Sequence, residues 1–250
     1  MRANPPVLSA AERNARRDAK RQILIEFLAD HEVYTSVQIA QLLLQCSRTV
    51  AYQTLVALQK SGALKSEEHQ IDGRITRLFG ITPHGLAIAD RVGNPHFELG
   101  RTNSDYVTHK LEGQRMRVRA AGAGWGRWVP ERELRKTGLK KVPDAMVTDL
   151  AGRKIAVEIE RYCKTPKRYE ELIREYVKAI RVGRYDLVHF VCPPGIERLV
   201  ERCMNRVTTI DVDGETHIVE EKHRKRFRYF SFDNWPPAPA GAGGQEKEAA

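Results

Sequence analysis

The sequence predicts an α+β or α/β protein in two parts: a small, mainly helical N-terminal part and a larger part built on a mixed sheet. Three observations support this. Apolar residues recur at helical spacing from Ile23 to Leu58 and give way to two short strand-like runs. Residues 143–164 contain two apolar runs around Ala151-Gly152, which reads as a β-hairpin. Beyond them, the helical run 167–180 and the apolar strand 186–192 alternate as in a layered sheet.

The chain has 250 residues, 41% of them hydrophobic, which is enough for two cores. It contains no run of 18 apolar residues, so no membrane span is expected. The polar, basic N-terminus does not have the form of a secretion signal, and a cytoplasmic location is expected. Cys46, Cys163, Cys192 and Cys203 have neither disulfide-framework nor zinc spacing. Net charge is +10. Residues 1–99 hold 12 Lys+Arg against 10 Asp+Glu, leaving +2, and the remaining 30 against 22 leave +8. A basic excess around an acidic hairpin suits a polyanionic substrate.

Residues 1–18, with Pro5-Pro6, are expected to be flexible. Ile23, Leu24, Phe27 and Leu28 then predict a helix over about 19–29. Ser36 caps a second helix to Leu44, and Ser47 caps a third to about Ser61, with Gly62 at its end. Strands follow at Leu64–Glu67 and Ile75–Ile81 around Asp72-Gly73. Thr82-Pro83-His84-Gly85 then leads into a closing helix, Leu86–Arg91. Three helices, a two-stranded wing and a closing helix describe a winged helix-turn-helix. Arg48, Thr49, Tyr52 and Gln53 face outward at the start of the third helix, where base edges are read, and Arg74 and Arg77 lie on the wing. Residues 47–82 resemble winged-helix DNA-binding domains of transcription and plasmid proteins. The near-neutral charge keeps a dimerisation module as the alternative.

Gly93-Asn94-Pro95 opens a linker over 93–103. Ser104 caps a helix over about 105–120 that carries His109, and a Gly-rich loop leads to Trp128-Val129-Pro130-Glu131. In the hairpin, Asp144 begins the first strand. Glu158 and Glu160 sit two apart in the second, so alternation puts both on one face. Carboxylates gathered this way repel one another unless a cation lies between them, and all-oxygen clusters suit Mg²⁺ or Mn²⁺. The expected ligands are therefore Asp144, Glu158 and Glu160. Pro166 opens the next helix, with Lys164, Lys167 and Arg168 near its start. A helix over 196–207 and a hairpin at Asp213-Gly214 follow. If residues 222–229 are extended, Lys222, Arg224, Arg226 and Arg228 form one basic face for tracking a backbone. Residues 235–250 read as a disordered tail.

Residues 104–207 resemble the PD-(D/E)XK restriction-endonuclease-like core, with Pro143-Asp144 and Glu158 at the motif positions. The departure is Glu160, where that family has lysine; Lys164 lies on the adjacent segment. More narrowly, the winged helix, His109, Trp128 to Glu131, Pro143-Asp144-Ala145 and Ala156-Val157-Glu158-Ile159-Glu160-Arg161, followed by Lys164 and Tyr169, resemble the replication-relaxation proteins, which include MobC-type mobilisation relaxases.

The resemblance implies metal-dependent nicking of plasmid or integrative-element DNA at a transfer or replication origin. Asp144 and Glu158 would hold the ion, helped by Glu160 or Glu131, and Lys164 would serve the scissile phosphate. A covalent route through Tyr162 or Tyr169 is the chemical alternative. A solvated hairpin paired to Arg161 and Lys154, and a non-catalytic accessory protein using a degenerate nuclease fold, are the others. Expected partners are DNA and other mobilisation or conjugation proteins, with a homodimer left open and no membrane. The expected domains are 19–92 for the winged helix and 104–234 for the nuclease-like part.

Overall fold

A computed structural model describes residues 8–71, 73–138, 140–212 and 214–238, apart from the side chains of His31, Ser104 and Asp105. The predicted Pro5-Pro6 start, the turn residues Asp72 and Asp213, the Ser104 cap and the tail beyond 238 lie outside the described residues. The chain forms two compact units, residues 1–115 and 116–250.

The first unit begins with α1 (Ala10–Phe27), nine residues earlier than the apolar pattern indicates. Ser9 and Glu12 form a reciprocal capping box there. The first turns are cationic, so apolar periodicity does not register them, although Arg and Lys are good helix formers. A π-helical turn over Leu28–Glu32 leads into a strand the sequence did not announce, β1 (Tyr34–Ser36). Then come α2 (Val37–Leu44), capped by Ser36, and α3 (Arg48–Lys60), capped by Ser47. The hairpin of β2 (Leu64–Ile71) and β3 (Arg74–Ile81) is longer than expected, and β1 pairs antiparallel with β3, giving the sheet order β1-β3-β2. The closing helix α4 (Pro83–Ile88) is capped by Thr82.

The predicted linker is docked rather than free. The Phe97 backbone N–H donates to the Ile81 carbonyl at 2.9 Å. Its ring lies over Gly80, where an added Cβ would meet it at 2.0 Å. The start of α5 (Ser104–Gly122) completes the unit: Gln114 accepts from Thr35 and donates to the Tyr34 carbonyl, both bonds buried.

The second unit is built on a five-stranded mixed sheet. Its elements are β4 (Val129–Pro130), α6 (Glu131–Leu134), β5 (Ala145–Thr148), β6 (Lys154–Ile159), α7 (Pro166–Arg181), β7 (Leu187–Cys192) and α8 (Ile196–Asn205). After these come a separate hairpin, β8 (Thr209–Val212) with β9 (Glu215–Ile218), then α9 (Glu221–Arg224) and β10 (Phe227–Ser231). The sheet order is β10-β7-β6-β5-β4, with β6, β7 and β10 parallel and β5 and β4 antiparallel.

The β5–β6 turn is made by Asp149, whose carboxylate accepts from the backbone N–H groups of Ala151 and Arg153. Strand alternation then sorts the two cores. Ile155, Val157 and Ile159 pack with Val147 and Trp235 on one face, and Ala156 packs with Tyr169, Leu172, Ile173 and Tyr176 of α7 on the other. Full burial of such side chains contributes roughly 1.5–3 kcal/mol each, and this is what holds α7 against the sheet.

The basic-face reading of 222–229 fails. Residues 221–224 are helical, because Glu220 and His223 close a capping box over that turn. Lys222 pairs with Glu220 at 2.8 Å. Arg224 donates to the Val207 carbonyl at 2.9 Å, past the end of α8, and Arg226 donates to the Asp186 carbonyl at 3.3 Å. Arg228 stays exposed on β10. No helix among the described residues is long and apolar enough to cross a membrane.

Candidate functional site

The acidic group stands on the sheet face that carries α7. Ala145 pairs with Val157 across the antiparallel hairpin, so one further step sets Asp144 opposite Glu158. An Asp144 carboxylate oxygen accepts from the Ile159 backbone N–H at 2.7 Å, which ties the two strand ends together. The Asp144 carbonyl accepts from the Glu131 N–H at 2.9 Å. Glu158 and Glu160 are 2% and 3% exposed, so the solvated-hairpin alternative with Lys154 and Arg161 does not describe them.

Both glutamates have cationic partners. Glu158 accepts from the Lys141 ammonium at 2.7 Å and from the Tyr176 hydroxyl. Burial pushes its carboxyl up to about 7, and the neighbouring Asp144 charge adds to the shift, against the pull of Lys141 and Tyr176. Glu160 pairs with Lys164. Its carboxyl is also raised, chiefly by burial, with Lys164 opposing and Asp144 reinforcing. Lys141 is the residue the sequence reading missed. It sits in an irregular stretch with no periodicity, and its one signal was Lys140-Lys141 directly upstream of Pro143-Asp144.

The expected three-ligand cluster is not formed. Among the described residues no three His, Cys, Asp or Glu side chains are grouped to hold a metal ion, because Glu158 turns to Lys141 and Tyr176 while Glu160 turns to Lys164. The donor chemistry that remains fits a smaller site. Asp144 and Glu158 are facing oxygen donors close enough to raise the Glu158 pKa, which is the repulsion a divalent cation relieves.

The other candidates are placed as follows. Glu131 opens α6 with its carboxylate 2.5 Å from Arg135. His109 lies on α5 in the first unit, half-buried, its ring 5.6 Å from Tyr106. Tyr169 is fully buried, and its oxygen accepts from the Lys164 backbone N–H at 3.0 Å, so it serves the core. Tyr162 is exposed beside Arg161. Lys167 and Arg168 are exposed in the first turn of α7, Arg168 with Glu171 at 2.9 Å. Cys163 and Cys203 are free thiols with sulfurs 3.0 Å apart.

In the first unit Arg48, Thr49, Tyr52 and Gln53 all lie exposed on α3. Arg74 is exposed on β3. Arg77 faces Glu68 across the hairpin and pairs with it at 2.7 Å. Val50 is half-buried and lines a groove against α1.

These features define a two-unit α+β protein with a mixed sheet and a buried carboxylate–lysine site. The chain belongs to the replication-relaxation family, whose model, described as Replication-relaxation, matches residues 25–191. No curated protein matches it. A solved structure described as a repair endonuclease from Pyrococcus abyssi is similar at 14% identity and a TM-score of 0.25, over 56% of this chain. The chain spans about 61% of that structure's length.

Proposed function

We propose that the protein is a metal-dependent DNA-nicking protein that acts at a plasmid or integrative-element transfer or replication origin. In this reading the first unit is a winged helix that reads DNA and the second is a PD-(D/E)XK-like nuclease. The observation that carries it is Asp144 set across from buried Glu158 with the Lys141 ammonium on the same carboxylate. Two facing carboxylates and a lysine are the elements phosphodiester hydrolysis needs. Family membership supports the DNA-processing context.

Asp144 and Glu158 would hold Mg²⁺ or Mn²⁺. Once bound, the ion would supply Lewis acidity and lower the pKa of a water. Lys141 neutralises the pocket and places positive charge where negative charge grows on a phosphate. Lys164 holds Glu160, and its backbone is fixed by Tyr169, so the segment between β6 and α7 is positioned. Lys167, at the exposed start of α7, is suited to a neighbouring phosphate.

A second reading is favoured by the ion pairs themselves. Carboxylates already satisfied by Lys141, Tyr176 and Lys164 also suit a non-catalytic accessory protein. The test is incubation of the full chain with supercoiled plasmid carrying its own origin, with Mg²⁺ or Mn²⁺ or with EDTA. Metal-dependent nicking that disappears in folded Asp144→Ala and Glu158→Ala supports the enzyme. Binding without nicking under any metal establishes the accessory reading.

A further inference from the structure

We propose that the groove between α1 and α3 is a second binding site for the phosphate backbone of duplex DNA, alongside the exposed face of α3. This rests on the reading of the first unit as a DNA reader and extends it to residues outside the helix-turn-helix elements.

Arg13, Arg16, Arg17, Lys20 and Arg21 follow i, i+3, i+4, i+7, i+8 spacing along α1, which puts five cations on one face. In the next turn the same stripe continues as Leu24, Phe27 and Leu28, all buried. The face that packs into the core at the C-terminal end of α1 is therefore cationic at its N-terminal end. There it lines a groove of about 340 Å³, closed on the other side by Val50, Gln53 and Ala57 of α3.

Five like charges along one groove wall repel one another. Asp18, 3.3 Å from Arg21, and Glu12, engaged with Ser9, are acids on the same helix. A polyanion resolves the remaining excess. The stripe from Arg13 to Arg21 rises ~12 Å at 1.5 Å per residue. A DNA strand presents a phosphate every ~3.4 Å along the duplex axis, so the stripe matches about three phosphates. Gln53 belongs both to the groove and to the exposed face of α3, so a duplex seated on that face reaches the cationic wall without leaving the unit. The near-neutral charge of residues 1–99 conceals this concentration, because Glu26, Asp30 and Glu32 follow the stripe in the chain and Glu67, Glu68, Asp90 and Glu98 lie farther along the segment.

The experiment measures binding of the full chain to a random-sequence 30-base-pair duplex across a salt series by fluorescence anisotropy. Arg16→Gln/Arg17→Gln/Lys20→Gln should weaken binding by about tenfold or more near physiological salt. It should also flatten the slope of log K against log[salt] by ~2–3, at about 0.9 per lost phosphate contact. The variant's melting temperature should stay close to wild type, since Arg16 and Arg17 are exposed and the half-buried Lys20 is replaced by glutamine, another good helix former with a polar end. The charge-preserving Arg16→Lys/Arg17→Lys/Lys20→Arg should bind as wild type and guards against a folding artefact. Wild-type affinity and slope in the glutamine variant overturn the groove assignment while the DNA-reader reading stands. In a parallel titration with a single-stranded 30-mer, a loss confined to that probe overturns the duplex assignment. Absence of DNA binding by wild type at low salt overturns both.

Discussion

The Lys141 ammonium lies 2.7 Å from the Glu158 carboxylate, although Lys141 precedes Asp144 and belongs to neither strand of the hairpin. Glu160 occupies the strand position where the PD-(D/E)XK pattern has lysine, and its own cation, Lys164, comes from the segment after β6. Two lysines, one before the hairpin in sequence and one after it, therefore reach the acidic face, one on each glutamate. This changes which residue is expected to matter for cleavage. The sequence pointed to Lys164, whereas the cation on the Asp144–Glu158 pair is Lys141.

Lys141→Met is expected to slow nicking by ~10²-fold, the scale of losing one electrostatic contact to developing charge. Lys164→Met, which touches Glu160, is expected to slow it by less than ~10-fold. Single-turnover nicking of a plasmid substrate orders the two. The reverse order returns the role to Lys164.

Glu158 makes stability fall with pH. Its carboxyl titrates at about 7 in the folded chain against an ordinary 4.5, so the folded state keeps a proton that the unfolded state releases. This contribution is complete below pH 4.5 and is lost as pH rises through about 7. Glu158→Gln should therefore flatten the melting temperature between pH 5 and 7 and raise it at pH 8, as read by scanning calorimetry. Mg²⁺ should stabilise wild type more at pH 8 than at pH 5.5, because binding needs the ionised carboxylate, and EDTA should reverse the gain. An equal shift at both pH values argues against Glu158 as a ligand.

His189 acts at the acid end with the opposite sign. It is buried, and its Nδ1 accepts from the Trp235 indole at 3.1 Å. Burial, aided by Arg228 and Arg153 and opposed by Asp149, lowers its pKa from 6.5 to about 3. The unfolded chain takes up the proton first, so stability falls as pH drops from 6.5 toward 3. His189→Gln, which keeps an acceptor without titrating, should unfold at lower pH than wild type in an acid titration followed by near-UV circular dichroism. An unmoved acid midpoint rules this out.

Arg224 is expected to matter for folding rather than for DNA. Arg224→Ala removes its donation to the Val207 carbonyl and should cost about 1–3 kcal/mol in urea melts. DNA affinity of the folded variant should stay within ~2-fold of wild type. A large affinity loss with unchanged stability restores Arg224 as a backbone contact.

Arg48→Ala and Gln53→Ala should reduce preference for origin DNA over random duplex, each losing ~1–3 kcal/mol of discrimination if it meets a base edge. Competition binding at fixed salt measures the ratio. If neither variant changes it, α3 does not read sequence.

Much of the candidate site was legible because strand alternation and a hairpin turn are local rules. The turn near Ala151-Gly152, the shared face of Glu158 and Glu160, and the buried stripe Tyr169, Leu172, Ile173 and Tyr176 all follow from spacing alone. Non-local or non-apolar features were not legible. β1 is three residues long and is a strand because β3 pairs with it. The start of α1 is written in arginines, to which a hydrophobic pattern is blind. Residues 222–229 looked extended because alternating cations mimic a strand, whereas Glu220 and His223 close a helical turn locally. Lys141 reaches Glu158 through an irregular segment whose path no periodicity encodes.

Glu160 at the strand position where the PD-(D/E)XK pattern has lysine bears on how such chains are recognised. A linear pattern that demands lysine two residues after Glu158 passes over this sequence, though an ammonium sits on that glutamate all the same. A glutamate 2% exposed tolerates loss of its cation poorly, so where the strand supplies no lysine the charge has to come from another segment. A search for such sites has to look for the cation in space rather than at a fixed distance along the chain.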